Sequence, residues 1–388
     1  MVLEDQIMAI NSLLLIRANV FCISLLFSLL FILVSCVKPG DNAINIRPID
    51  TLEIKIPDST EYKSYQQQLV SDELINVKRG FNEIEIYDIN EGILKNKINF
   101  EENSIKIKSV CYINSDSIFI ITEEPHILIL VNDDSKIINN WDLSSIYTTD
   151  SVVYSLGQAN VNWPLMFSDN SLYLNSRADV WFSNFNHYPR ILKINFEGDD
   201  IVSHKYFYYV ERDTLLYFND LFLCTTINSD NELIVRSLDD SSLFVGNSEG
   251  FKEILVSNSK YLQKKNKFDF EAKPYHEMTD RFLIKEPRTI GLRYDKYRNL
   301  YYKIYKHRQN LLDSNGMRNS IEDAEFSITF FDTEFNIIFE KLFKPNYYDP
   351  LNIFVNEKGL LISINNMKNP LFDMNYFKFE LWEINYEN

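Results

Sequence analysis

Residues 116–143 read DSIFIITEEPHILILVNDDSKIINNWDL, and this stretch decides the fold. It contains three short apolar runs, at 118–121, 127–131 and 137–143, which are separated by Glu-Glu-Pro and Asn-Asp-Asp-Ser. The runs are too short for helices and rich in β-branched residues, so each predicts a strand of an antiparallel meander. We interpret the stretch as one blade of a β-propeller.

The same arrangement recurs along the chain, which indicates six such units. Their anchor residues are Leu74, Ile118, Leu172, Leu233, Leu300 and Leu360. A further apolar run precedes most anchors, such as VCYIN at 110–114 and NIFVN at 352–356. Each unit therefore has the four strands of a propeller blade. We predict an all-β, six-bladed β-propeller of four-stranded antiparallel blades over residues 51–388, with a strand at 52–56 closing the ring against the last blade. Two packed β-sandwiches are the alternative.

The composition supports an all-β chain with unusual turns. Only 10 of the 388 residues are Gly, so Asn, Asp and Ser must form most tight turns, either in left-handed conformations or by closing Asx-turns. The 28 Phe and 23 Tyr residues are of the kind enriched in strands.

The net charge of -16 argues against nucleic acid as a partner. A protein that binds nucleic acid in general needs a basic surface to neutralise phosphates. We therefore expect no nucleic-acid binding.

The amino terminus has the pattern of an export signal. Residues 18–34 carry no charge and follow Arg17, and residues 33–36 read LVSC. This resembles the lipobox of bacterial lipoproteins, which are cleaved before a cysteine that carries diacylglycerol. The resemblance implies a lipoprotein signal peptide at 1–35 and lipidation of Cys36. An uncleaved membrane anchor is the alternative, and Met8 is an alternative start.

Residues 36–50 form a polar segment with Pro39, Gly40 and Pro48, which predicts a flexible tether after the lipidated cysteine. Val37 replaces the Asp that commonly retains lipoproteins at the inner membrane. We therefore predict a bacterial cell-envelope protein held at the outer membrane by its lipid, facing either the periplasm or the surface.

Several phrases of the sequence resemble a known family. They are NEIEIYDINEGILKNKINF at 82–100, SDSIFII at 115–121, DNSLYL at 169–174 and YDKYRNLYYKIYKH at 294–307. Behind a lipobox, these phrases are similar to the bacterial lipoproteins grouped as the domain-of-unknown-function family numbered 4221. The resemblance implies a six-bladed propeller lipoprotein and implies no activity. The chain departs from the family at residues 101–104, EENS, which lack the glycine of the family's turn.

Two cysteines remain in the body of the chain, Cys111 and Cys224. Both lie in apolar, strand-like runs, so we predict buried thiols that act as small hydrophobic residues. A disulfide is the alternative in an oxidising compartment.

The first candidate binding segment is 260–308, with fourteen Lys or Arg residues against six Asp or Glu residues and many interleaved tyrosines. It suits an anionic glycan, because cations pair with charge and rings stack on sugars. We select Arg293, Tyr294, Tyr297 and Arg298 as ligand-binding candidates. A basic loop covering the acidic ring is the alternative. Along a strand at 300–307, Lys303 is predicted to lie on the solvent-facing side.

The second candidate is the loop at 175–190, NSRADVWFSNFNHYPR. It brings Arg177, Trp181, His187 and Tyr188 into an apolar unit, and Trp with Arg is a common recognition pair. A loop that packs its own aromatic side chains is the alternative.

Catalytic and metal signals are weak. His276-Glu277 is followed by Asp280 where a zinc-binding motif needs its second His. We predict no metal and no cofactor, and a role as a binding module for a glycan or an envelope protein. A propeller hydrolase or lyase with its site at the channel mouth is the alternative. A large exposed apolar patch would point instead to a structural or signalling partner of another envelope component.

Overall fold

The computed structural model describes residues 44–57, 66–78, 82–100, 105–123, 125–149, 152–156, 159, 163–178, 191–198, 200–207, 224–236, 241–247, 249–256, 259–264 and 283–386. One compact unit, Asn45–Asn385, contains every strand of the described residues. A second unit consists of Met1–Ile44 with Tyr386–Asn388. The predicted signal peptide and Cys36 lie outside the described residues.

The strands of Asn45–Asn385 form six sheets, and each sheet is one blade. The first strand in the chain is β1 (Asn45–Lys55). Blade 1 contains β2 (Gln66–Val70), β3 (Glu73–Lys78), β4 (Glu83–Asp88) and β5 (Ile93–Asn99). Blade 2 contains β6 (Ile107–Asn114), β7 (Ser117–Thr122), β8 (Ile127–Val131) and β9 (Ile137–Asp142), followed by the helical turn α1 (Ser144–Tyr147).

Blade 3 carries two additional strands. These are β10 (Thr148–Thr149) and β11 (Val152–Leu156). The four regular strands are β12 (Met166–Ser168), β13 (Ser171–Ala178), β14 (Ile191–Glu197) and β15 (Asp200–Phe207).

The last three blades complete the ring. Blade 4 contains β16 (Thr225–Ile227), β17 (Leu233–Arg236), β18 (Ser242–Asn247) and β19 (Gly250–Leu255). Blade 5 contains β20 (Arg288–Asp295), β21 (Leu300–Lys306), β22 (Phe326–Phe331) and β23 (Ile337–Phe343). Blade 6 contains β24 (Ile353–Asn356), β25 (Gly359–Ser363), β26 (Tyr376–Asn385) and β1.

One strand of each blade is innermost, and these six strands surround a central channel. They are β2, β6, β12, β16, β20 and β24, and each contacts the innermost strands of both neighbouring blades. All strand pairs within the blades are antiparallel, as predicted. The protein is therefore a six-bladed β-propeller, and the alternative of two sandwiches is wrong.

Strand β1 closes the ring by pairing with β26. Ile54 faces Phe377 and Leu52 faces Phe379 across this pair, and Ile54 is fully buried. The sequence predicts this closure for residues 52–56. The strand begins at Asn45 and not near Thr51, so part of the predicted tether is strand.

The core is divided into layers between adjacent blades. In β7, Ile118 and Ile120 pack with blade 1, whereas Phe119 and Ile121 pack toward blade 3. Alternate side chains of one strand thus bury against different neighbours, which is why the strands are apolar on both faces. All six sequence anchors lie in the second strand of their blades and are buried.

Asn, Asp and Ser form the turns, as the scarcity of glycine predicts. Among the described non-glycine residues with positive φ, all except Phe335 are Asn, Asp or Ser. Asx-turns cap the ends of innermost strands, for example at Asn228 and Asn356, whose side-chain oxygens accept hydrogen bonds from amides of the following turns.

Two local predictions have different outcomes. Cys111 and Cys224 are buried thiols, as expected, and no disulfide joins them. Lys303 is buried, so the prediction that its side of β21 faces solvent is wrong. The reason is that a neighbouring blade covers each face of the sheet.

Candidate ligand site in the central channel

A cavity of about 310 Å³ lies in the channel. It runs along β2 and reaches the turn that follows β20. The lining includes polar, aromatic and apolar side chains. The lining residues are Gln66, Gln67, Gln68, Leu69, Val70, Ser71, Pro164, Thr225, Thr226, Leu292, Arg293, Tyr294, Lys296, Tyr297, Phe354 and Val355.

Arg293 supplies a positive charge inside this cavity. Its Nη1 donates to the carbonyl oxygen of Leu292 at 2.9 Å and its Nε to that of Ile353 at 3.3 Å. These bonds hold the guanidinium between blades 5 and 6. Burial lowers the pKa of Arg293 to about 10, so the side chain is still charged at neutral pH.

The end of β20 and the turn after it bring two tyrosines and a lysine to the same cavity. Tyr294 Oη hydrogen-bonds to Asn299 Oδ1 at 2.8 Å, which fixes its ring. Tyr297 is 36% exposed, and Lys296 Nζ lies 5.1 Å from its ring centroid. Asp295 Oδ1 shapes the turn by accepting the amide of Tyr297 at 2.9 Å.

Two glutamines of β2 use their side-chain amides to form the hydrogen bonds that a neighbouring strand would form with the edge of β6. Gln68 Nε2 donates to Tyr112 O at 2.8 Å, and Gln68 Oε1 accepts from Tyr112 N at 3.0 Å. Gln66 makes the same reciprocal pair with Val110. Innermost strands lack a backbone partner on the channel side, so these amides satisfy the exposed edge of β6.

Gln67 starts a buried polar chain that crosses blade 1. Its Nε2 lies 3.4 Å from Asn76 Oδ1, and Asn76 Nδ2 donates to Glu85 at 3.0 Å. Lys78 then bridges Glu85 and Glu83 at 3.2 and 3.1 Å. The sequence analysis missed the Gln66–Gln68 run and Lys296 as cavity residues; three consecutive glutamines in a strand were the available signal.

The four candidates of the basic segment divide into two groups. Arg293, Tyr294 and Tyr297 line the cavity. Arg298 does not: it donates to Asn356 O, Glu357 O and Ile384 O of blade 6. Arg298 remains a ligand-binding prediction.

The second candidate segment falls largely outside the described residues. Arg177 is in β13, where its backbone pairs with Ser155 of β11. Trp181, His187 and Tyr188 lie outside the described residues. They remain ligand-binding predictions.

On blade 5, a histidine contacts a serine through one ring nitrogen and a glutamate through the other, as in a catalytic triad. His307 Nε2 is 3.0 Å from Ser327 Oγ, and His307 Nδ1 is 3.3 Å from Glu325. A nucleophilic serine must reach its substrate, yet Ser327 has no exposed surface. Burial also lowers the pKa of His307. We interpret the three residues as a buried polar contact of the sheet.

The cavity is suited to binding an anion or a ligand with many hydroxyl groups. Among the described residues that line it there is no Asp, Glu or His. Elsewhere in the described ranges, no three His, Cys, Asp or Glu side chains are grouped to hold a metal ion. No helix in the described part of the chain has the length and hydropathy to cross a bilayer.

The family model described as Domain of unknown function (DUF4221) matches residues 43–342. The chain belongs to the DUF4221 family. A crystal structure of a DUF4221 member from Bacteroides vulgatus is similar with a TM-score of 0.70 at 20% identity, over 90% of this chain and 100% of that one. At this identity the comparison shows the shared fold alone.

Two other solved structures are less similar. A protein of Bacteroides fragilis described as exported has a TM-score of 0.49 at 12% identity, over 91% of this chain and 98% of that one. A virginiamycin B lyase from Staphylococcus aureus has a TM-score of 0.44 at 8% identity, over 88% of this chain and 99% of that one. No curated protein matches this DUF4221 chain.

Proposed function

We propose that this protein is a lipid-anchored, extracytoplasmic binding module whose channel cavity holds the acidic end of a glycan. The observation that carries the proposal is the position of Arg293, a half-buried cation inside a cavity whose described lining has no carboxylate. A guanidinium binds a carboxylate strongly and with defined geometry.

The remaining wall suits the rest of a sugar. Tyr297 presents a partly exposed ring at the cavity, on which a sugar ring can stack, and Gln67 presents an amide that can exchange hydrogen bonds with hydroxyl groups. The volume of about 310 Å³ is at the lower end of ligand cavities, which span roughly 300–1,000 Å³. It suits one or two sugar rings, so the terminal residues of a longer glycan are the expected ligand.

The location outside the cytoplasm rests on the sequence. The uncharged segment 18–34, the LVSC at 33–36 and the absence of Asp after Cys36 support an outer-membrane lipoprotein. Labelling of cells with palmitate tests this proposal, because Cys36→Ala must abolish incorporation of the label. Incorporation that persists in this variant contradicts lipidation at Cys36.

Calorimetry tests the ligand proposal on the chain from Lys38 onward, which contains the whole compact unit. Oligosaccharides ending in a uronic acid are compared with their neutral counterparts. We expect the acidic ligand to bind at least tenfold more tightly, and Arg293→Gln to remove that preference. Arg47→Gln, on the outermost strand of blade 6, is the matched control and must keep it.

Two results contradict the proposal. One is equal binding of acidic and neutral ligands, and the other is full acidic preference in Arg293→Gln. Release of new reducing or unsaturated ends during incubation favours the alternative of a hydrolase or lyase. The palmitate experiment tests Cys36 alone, so a negative binding result leaves it interpretable.

A further inference from the structure

The connections of blades 5 and 6 form a surface at the end of the ring opposite the cavity turns. Successive strands of a blade run in opposite directions, so the connection between its second and third strands lies where its innermost strand begins. The segments 307–325 and 364–375 are such connections. Lys296 and Tyr297 of the cavity lie in a turn at the other end.

This surface exposes five large apolar side chains, which we call the methionine surface: Leu312, Met317, Met367, Leu371 and Met374. Each is between 51% and 64% exposed. The chain has only 7 methionines, and three of them are here. Single exposed apolar residues are ordinary, but several on adjoining connections indicate an interaction site. Methionine is favoured at such sites because its flexible thioether adapts to a partner.

The two connections are held together, so the surface is ordered before any partner binds. Lys368 Nζ of blade 6 lies 3.1 Å from Asp323 and 3.5 Å from Asp313 of blade 5. Asn366 Nδ2 donates to Glu322 O at 2.8 Å and to Tyr348 O at 3.2 Å. A surface fixed in this way loses little conformational entropy on binding.

The charges around the surface identify the kind of partner. The two connections contain five acidic residues, Asp313, Glu322, Asp323, Glu325 and Asp373, against three basic ones, Arg308, Arg318 and Lys368, and the whole chain carries -16. A second copy or an anionic lipid surface would meet like charge, which opposes association. A partner with apolar and basic residues would meet opposite charge.

We propose that the methionine surface binds an amphipathic, lysine- or arginine-bearing segment of another protein. The apolar side of that segment covers the methionines, and its cations face the acidic side chains around them. An amphipathic helix lying on an apolar, methionine-rich surface is a recurring form of recognition. This site is distinct from the channel cavity and does not depend on a glycan ligand.

The test uses a fluorescent synthetic peptide, about 18 residues long, with Leu on one helical face and Lys on the other. Its anisotropy is titrated with the chain from Lys38 onward. We expect the variant Met317→Gln/Met367→Gln/Met374→Gln to bind at least tenfold more weakly, because Gln keeps the side-chain length and removes the apolar contact. The matched control, Ile137→Gln/Ile138→Gln/Leu255→Gln, replaces exposed apolar residues on blades 2 and 4 and must bind within twofold of the unmodified chain.

Oxidation by hydrogen peroxide provides a second measurement on the unmodified chain. Bound peptide must slow sulfoxide formation at the three methionines at least fivefold, as read by mass spectrometry. The same peptide with Glu in place of Lys must bind at least tenfold more weakly.

Several outcomes overturn the proposal. These are failure of the Leu/Lys peptide to bind, binding that the triple Gln variant retains, and equal binding of the Glu peptide. Dimerisation in sedimentation that only the methionine variant abolishes would show a second copy as the occupant. Binding to anionic vesicles lost only in that variant would show a lipid surface. Either result also overturns the proposed partner.

Discussion

Arg298 Nη1 donates to Asp295 Oδ2 at 2.9 Å within the turn that joins the first two strands of blade 5. The carboxylate also accepts the turn amide of Arg298 and the hydroxyl of Tyr302. The guanidinium in turn reaches backbone carbonyls of blade 6. The contacts of Arg298 therefore both shape a turn and join two blades.

We predict that Arg298→Ala strongly destabilises the protein. The change leaves Asp295 buried without its cation, and removing one partner of a buried pair costs about 3–5 kcal/mol. Urea unfolding measures the loss. Arg47→Ala is the control: its side chain is 63% exposed where it pairs with Glu383, and exposed pairs contribute little. Equal losses in the two variants contradict the structural role of Arg298.

Gln68→Glu tests whether side-chain amides join blades 1 and 2. Glutamate can accept from Tyr112 N but cannot donate to Tyr112 O, so one buried carbonyl loses its partner. We expect a loss of about 1–3 kcal/mol in unfolding free energy. Gln309→Glu, where the amide bonds to Ser320 O at an exposed position, should lose clearly less. A Gln68→Glu variant as stable as the unmodified chain argues against the role of the Gln68 amide in joining blades 1 and 2.

Ring closure is tested by two alanine variants of the same strand. Ile54→Ala removes a fully buried side chain between blades 6 and 1, and we expect a loss of about 2–5 kcal/mol. Ile49→Ala changes a residue that is 47% exposed, so we expect an effect within about 0.5 kcal/mol. Chemical denaturation measures both. Similar effects at the two positions contradict the predicted contribution of the buried face of β1.

Lys306 predicts a specific pH dependence. Burial lowers the pKa of Lys306 to about 7, whereas the unfolded lysine has a pKa of about 10.4. Between these values the unfolded chain holds a proton that the folded chain has lost, so stability rises with pH from about 7 toward about 10. One proton gives a slope of at most about 1.4 kcal/mol per pH unit.

The measurement compares the unmodified chain with Lys306→Met between about pH 7 and pH 9. The variant must lose this slope. Burial raises the pKa of Tyr302 and of Tyr348. Above this pH range these tyrosines lose their protons in the unfolded chain first, which lowers stability as the pH rises. If both proteins show the same rise in stability with pH, the rise comes from titrating groups other than Lys306.

The architecture could be predicted from the sequence because each blade repeats a local pattern. Leu74, Ile118 and the later anchors mark second strands, and the runs before them mark the innermost strands. The solvent exposure of Lys303 was predicted wrongly for a physical reason. The alternation rule assumes a sheet with one wet face, whereas each propeller blade has a neighbour on both sides.

The candidate site was only partly predictable. Arg293 and Tyr297 could be selected because cations and rings are visible in a sequence. The contacts of Arg298 with blade 6 could not be predicted, because its acceptors there are backbone carbonyls, which every residue type carries. The pairing of Gln68 with Tyr112 spans 44 positions and depends on which blades are adjacent.

The pairing of β1 with β26 has a consequence for synthesis. Arg47 and Glu383 are 336 positions apart, so the first strand to leave the ribosome meets its partner only after nearly the whole polypeptide has been made. Blades 1 to 5 consist of neighbouring hairpins and can form as they emerge, whereas contacts between distant segments form slowly. Final assembly of the ring therefore waits for the carboxyl-terminal strand, and a chain truncated before β26 leaves β1 as an open, unpaired edge.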